Sequence, residues 1–244
     1  VEYTNEPWNT LFAQGTYLRN QGISAALSMD TYQAQLRYYS RRAVQVINLF
    51  RSAFGASGNR VIRVLGSQGA NPGVSNTILS FENASAGVDA LAIAPYFGGG
   101  YGSPTGGPQV QNFTVADLIS SLRTSEMPQV FNSIAAQVTV ARNFGVSLIT
   151  YEGGQHLVGY SGQENNVTLD ALFNAANRSD LMEGLYDEYL AGWWMRNPGG
   201  LFMHYKHAGS YTKFTKFGSY EYLNQPLSSA PKARALQNYI ELHR

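Results

Sequence analysis

An α/β fold with a parallel sheet is what this sequence predicts, and three observations carry that expectation. Short apolar runs rich in β-branched residues recur at 61–66, 91–96 and 146–149, each bounded by glycine or proline. Longer segments between them repeat apolar residues at three- and four-residue steps, as amphipathic helices do. The two kinds alternate strictly, which is the order of strand–helix–strand units.

In chain order, Val1, Tyr3 and Thr4 favour a strand that Pro7 stops, leaving Glu6 at its carboxyl end. Residues 10–30 are polar and contain glycine, and are expected to form a loop. Asp30 or Thr31 can cap a helix over 32–54. Its apolar face is Leu36, Tyr39, Ala43, Ile47, Phe50 and Phe54, with Arg37, Arg41, Arg42 and Arg51 on the solvated side. A turn at 55–59 leads to the strand 61–66, which ends near Ser67 and Gln68. A weak helix is expected over 75–85, then the strand 91–96 ending at Tyr96. The glycine-rich segment 98–107 lacks the Lys-Ser/Thr ending of a phosphate-binding loop. Helices follow at 115–125 and 128–144, the second with Phe131, Ile134, Val138 and Ala141 on one face.

The next strand ends at Glu152, and Gly153 and Gly154 let the chain turn sharply behind that carboxylate. After a polar loop, Asp180 and Glu183 have the spacing of a capping box. They start a helix whose stripe is Leu181, Leu185, Tyr189 and Trp193, broken at Pro198. Residues 201–205 are the last expected strand, 206–226 are irregular, and 231–244 form a closing helix with Leu236, Tyr239 and Ile240 inward. Five strand–helix units are more than half of an eight-fold barrel. A doubly wound sheet could also use them, but no G-x-G-x-x-G follows any strand, so its nucleotide-binding form has no support. One domain spanning 1–244 is expected.

Composition narrows the function. The chain has 244 residues, 44% hydrophobic and only 14% charged, with a net charge of +1. That balance offers no electrostatic reason to bind nucleic acid or an anionic membrane. There are no cysteines, so disulfides and thiolate metal sites are excluded. Sixteen tyrosines, 12 phenylalanines and three tryptophans suit flat, partly apolar ligands such as sugar rings, though they also fill cores. The chain opens at Val1 inside an expected strand, which reads as a piece whose amino-terminal part is missing. A signal peptide, and with it an extracellular or periplasmic location, would then belong to that missing part.

Glu6 and Glu152 are the candidate chemistry. Each follows a strand, and in a parallel α/β barrel the carboxyl ends of strands converge on one face. Two carboxylates flanking a sugar are the equipment of glycosidic hydrolysis, one protonated to release the leaving oxygen and one ionised to attack. Taken singly, either could merely cap a helix or pair with an arginine. Gln68 at a strand end, Gln155 and His156 after Glu152, Trp8 after Glu6, and His204 in the last strand are candidate sugar contacts. Trp193 and Trp194 fit core packing better. His156, His204 and His207 match no zinc spacing, so no metal and no cofactor are expected. Asn83, Asn112, Asn166 and Asn177 begin glycosylation sequons.

The strings V-E-Y-T-N-E-P-W-N, I-A-P-Y-F-G, Y-E-G-G-Q-H and G-L-F-M-H-Y resemble the clan A retaining glycoside hydrolases. They are similar to a bacterial branch whose members often carry names such as cellulose-binding domain protein. The resemblance covers essentially the whole chain and implies the second part of a (β/α)8, or TIM, barrel, strands four to eight, with strands one to three missing. It implies Glu6 as acid/base on strand four and Glu152 as nucleophile on strand seven. It further implies Asn5 as the partner of the sugar 2-hydroxyl and Tyr96 as a residue touching the nucleophile. The activity implied is retaining O-glycoside hydrolysis of a β-linked oligo- or polysaccharide. A catalytically silent carbohydrate-binding barrel is the alternative. A serine α/β hydrolase is disfavoured, because no G-x-S-x-G is present. The open half-barrel is expected to need its missing half, or a second copy, to cover exposed strand edges.

Overall fold

The computed structural model describes residues 1–243 and is α/β, mostly helical, with a small parallel sheet. The helices are α1 (Ala13–Ser24), α2 (Thr31–Phe54), α3 (Pro72–Ser80), α4 (Gly106–Val110), α5 (Val115–Ser121), α6 (Met127–Asn143), α7 (Val167–Arg178), α8 (Leu181–Arg196) and α9 (Pro231–Leu242). The strands are β1 (Val64–Gly66), β2 (Ala90–Ile93) and β3 (Ser147–Thr150). The chain divides into two compact units. The first holds Val1–Ala94, Ser133–Tyr151 and Gly200–Phe202; the second holds Pro95–Asn132, Glu152–Gly199 and residues 203–243.

The sheet lies in the first unit, in the order β1-β2-β3 and parallel throughout, with Val64 opposite Ala90 and Ala90 opposite Ser147. Every residue of β1 and β2 is buried, which is why both read as continuous apolar runs rather than alternating ones. Glu2 bridges Val64 in parallel at one edge, and the Thr150 N–H donates to Leu201 O at the other, 3.0 Å. Helix α2 buries Leu36, Tyr39, Ala43 and Ile47, and its Tyr39 hydroxyl accepts from Gly66 N–H of β1 at 2.8 Å. Withdrawing Leu36 or Ile47 from water contributes about 1.5–3 kcal/mol each. The Asp30 carboxylate accepts from Gln33 N–H at 2.8 Å and caps the helix as expected. Phe50 and Phe54, expected inward, are instead 45% and 46% exposed.

Other departures have local causes. The first expected strand shrinks to the Glu2 bridge, because Thr4 and Glu6 adopt φ of 60° and 41° and turn the backbone out of extension. Helix α1 replaces an expected loop. Gly15 and Gly22 face the backbone of Asn9 and Ala34 so closely that no Cβ would fit, so α1 packs through glycines and shows no apolar stripe. Helix α3 starts earlier than expected, at Pro72, with Asn71 as its cap, and ends where Glu82 and Asn83 turn to positive φ. The glycine-rich segment holds a 3-10 turn, Gly99–Gly102, and leads into α4 at Gly106.

In the second unit, α8 buries Leu185, Tyr186, Tyr189 and Trp193, whereas Leu181 is 47% exposed. Asp180 has helical φ and ψ and makes no capping bond. Asp180 and Glu183 instead pair with Arg234 of α9, each at 2.6 Å. Helix α7 lies in a stretch read as a polar loop, capped by Asn166 and buried through Leu169, Leu172, Phe173 and Ala176. Residues 201–205 form no strand; Leu201 O accepts from Thr150 N–H, and Tyr205 N–H donates to Gly153 O. Helix α9 buries Pro231, Lys232, Ala233 and Ala235, while Leu236 and Tyr239 are half-buried and Ile240 is exposed. The last residue of that expected helix, Arg244, lies outside the described residues.

Candidate active site

In the first unit, Glu6 sits on the turn that ends the Glu2 bridge. Its φ of 41° is a strained, left-handed value for a side-chain-bearing residue. The turn is held twice by Asn9: its N–H donates to Glu6 O and its Nδ2 to Glu6 Oε2, both at 2.9 Å. Asn5 is exposed, and its carbonyl accepts from Gln14 Nε2 at 2.9 Å. Trp8 is only 9% exposed and its ring packs against Tyr151, with centroids 6.2 Å apart, so little of its face is open for stacking. The fully buried Gln35 donates from Nε2 to Pro7 O at 2.7 Å and fixes the chain between Glu6 and Trp8. Gln68 follows β1 and is half-buried; its carbonyl accepts from Gln137 Nε2 at 3.0 Å. Gln137, Ser75 and Ser67 make a buried hydrogen-bonded row that sequence reasoning missed.

In the second unit, Glu152 is half-buried and begins a tightly tethered turn. The Gly153 carbonyl accepts from Tyr205 N–H at 2.9 Å, and the Gly154 carbonyl from Phe97 N–H at 3.1 Å. Gly154 has φ of 138°, and a Cβ there would lie 2.8 Å from the Tyr186 hydroxyl and 3.1 Å from His204 Nε2. Only glycine satisfies both constraints. Gln155 is 1% exposed with both amide ends engaged: Nε2 donates to Lys216 O at 2.7 Å, and Oε1 accepts from Leu157 N–H at 2.6 Å. His156 is tied by its backbone to Phe97 O at 2.7 Å. Its ring meets Tyr96 at 5.6 Å and Phe217 at 5.3 Å, and Tyr96 meets Phe217 at 6.1 Å. The structure thus brings Tyr96 and His156 into one half-exposed aromatic group and adds Phe217 to it.

His204 belongs to a second group. Its Nε2 lies 3.2 Å from the Tyr186 hydroxyl, which accepts the Gln155 N–H at 3.0 Å. Burial, helped by the nearby Lys232 charge and opposed by a hydrogen bond to the Lys206 backbone, pulls the imidazole down to about 3. It is therefore neutral at physiological pH. Burial likewise drives Tyr186 far up, so its hydroxyl keeps its proton. Behind them lie two buried lysines that the sequence did not single out. Lys216 Nζ pairs with Asp170 Oδ1 at 2.5 Å, and its carbonyl accepts from Lys232 Nζ at 2.8 Å. Lys232 also donates to Asn177 Oδ1 at 2.7 Å, and burial pulls its amine well below the ordinary lysine range. Asn177 and the cap Asn166 thus have their side chains engaged internally, unlike the exposed sequon residues Asn83 and Asn112. Pro231-Lys232-Ala233 has small apolar neighbours, the one local hint that Lys232 turns inward.

Among the described residues no group of three or more His, Asp and Glu is placed to hold a metal ion, and no helix is long and apolar enough to cross a membrane. No protein-family model, curated protein or solved structure matches this chain.

Proposed function

We propose that this chain is the catalytic part of a retaining O-glycoside hydrolase acting on a β-linked glycan, built on strands four to eight of a (β/α)8 barrel. The observation that carries the proposal is the in-order parallel arrangement in the first unit. The Glu2 segment lies beside β1, then come β2 and β3, with N-E-P following the first, Y-E-G-G following β3, and the Leu201 carbonyl bonded to the Thr150 N–H. Consecutive parallel order is what a barrel segment needs, and carboxylates after strand carboxyl ends are where such barrels keep their chemistry.

Glu152 attacks the anomeric carbon as a carboxylate while Glu6 gives its proton to the departing glycosidic oxygen. The carbon–oxygen bond breaks and a glycosyl ester forms on Glu152. Glu6, now ionised, takes a proton from water; the water oxygen attacks the same carbon and Glu152 is released. Asn5 serves the sugar 2-hydroxyl, Tyr96 orients the nucleophile, and His156 lines the sugar position. The missing barrel half, or a second copy, completes the substrate cleft, and the protein acts outside the cytoplasm.

The test is turnover of a panel of aryl β-glycosides by the full-length protein. Glu152→Gln and Glu6→Gln should each lower kcat by at least about 100-fold while sugar binding persists. Turnover that survives both changes would refute the assignment. Sugar binding without turnover in the unsubstituted protein would favour the silent binding barrel.

A further inference from the structure

We propose that Tyr186 is a positioning residue for the turn that carries Glu152, and that Lys216 and Lys232 complete the hold from the Gln155 side chain. This rests on reading Glu152 as the nucleophile. The turn has two kinds of tether. Phe97 and Tyr205 bond it backbone to backbone, as neighbouring extended segments do. Two further tethers come from the side chain of Tyr186 and the carbonyl of Lys216.

Tyr186 is fully buried on α8, its ring against Phe97 at 5.7 Å, Tyr189 at 6.2 Å and His204 at 5.6 Å. Its oxygen accepts the Gln155 N–H at 3.0 Å and lies 3.2 Å from His204 Nε2. The His204 imidazole is hydrogen-bonded in turn to the Lys206 backbone. The left-handed Gly154 leaves room beside the turn for the Tyr186 hydroxyl and the His204 ring. On the other side, Lys216 O accepts from both Gln155 Nε2 and Lys232 Nζ. Lys232 is anchored on Asn177 of α7, and the Lys216 amine on Asp170 of α7 and on Thr212 O at 2.6 Å. Helices α7, α8 and α9 therefore all fix a residue three positions after the nucleophile. Misplacing a reacting group by about 1 Å can lower a rate about 100-fold.

Tyr186→Phe removes one hydroxyl and keeps the ring. The expected result is a 10- to 100-fold lower kcat, roughly, on an aryl β-glycoside, with KM within about 3-fold and a displaced acid limb of kcat/KM. The Gln155 amide should also exchange faster with solvent deuterium. Gln155→Leu, which cuts the Lys216 tether, carries the same kinetic expectation should Tyr186→Phe not fold. Wild-type kcat and pH profile in the folded variant, or unchanged Gln155 protection, would overturn the proposal. If the unsubstituted protein turns over no glycoside, the functional reading falls and the catalytic role with it, whereas unchanged Gln155 exchange in Tyr186→Phe removes the clamp alone.

Discussion

His204 ties a single protonation event to the stability of the second unit. Its folded value of about 3 lies below the unfolded value of 6.5, because the ring is largely withdrawn from water and feels Lys232. The unfolded chain therefore binds a proton that the folded chain refuses, and stability falls as pH drops from 6.5 toward 3. At pH 5 the loss is up to about 2 kcal/mol. His204→Gln should flatten that part of the curve in thermal melts taken between pH 7 and 4; an unchanged slope would contradict the assignment. Gly154 is the other residue whose identity the structure demands. Gly154→Ala puts a Cβ at φ of 138° against the Tyr186 hydroxyl and should destabilise by about 2 kcal/mol or more, readable by urea titration.

Helices with strong periodicity were legible and helices without it were not. In α2 the recurrence from Leu36 to Ile47 and the Asp30 cap both took their expected places. Asp30→Ala should lower stability by about 1 kcal/mol, because the first-turn N–H of Gln33 loses its acceptor. Helix α1 was hidden because Gly15 and Gly22, not large apolar residues, make its contact. Asp180 and Glu183 had capping-box spacing, yet Arg234, far along the chain, claims both carboxylates. Spacing describes which neighbours a residue can reach locally; it is silent about a distant cation that binds it better.

Summed over the molecule, most of the perturbed groups that titrate below neutral pH push stability the same way. Hydrogen bonds from Arg41, Arg63, Thr114 and Arg178 lower Glu82, Asp89, Asp117 and Glu221 respectively, so their contribution is present above the unfolded carboxylate values and lost on acidification. His204 adds to the same loss, and Lys232, lowered by burial, makes stability rise further on the alkaline side. Asp187 opposes the trend, since burial and Glu183 raise it. The melting temperature should therefore fall from pH 7 to pH 3, and a flat profile would count against these pairings. Leu11, Met29, Leu49 and Leu223 are largely exposed, at 91, 102, 64 and 85%. The chain alone should self-associate as concentration rises in sedimentation velocity; a species that stays monomeric throughout would refute this.

The sequence by itself determined the α/β class, the β-branched runs that became β1, β2 and β3, and the identity of the two acidic motifs. Those are properties of local periodicity and of residue chemistry, which act over a few positions. Tertiary structure alone decided that Trp8 is largely covered, that Gln155 spends its amide on Lys216 and Leu157, and that Lys216 and Lys232 are buried. A side chain's hydrogen-bond partners and its loss of water depend on segments brought together from across the chain, and no local pattern encodes that meeting.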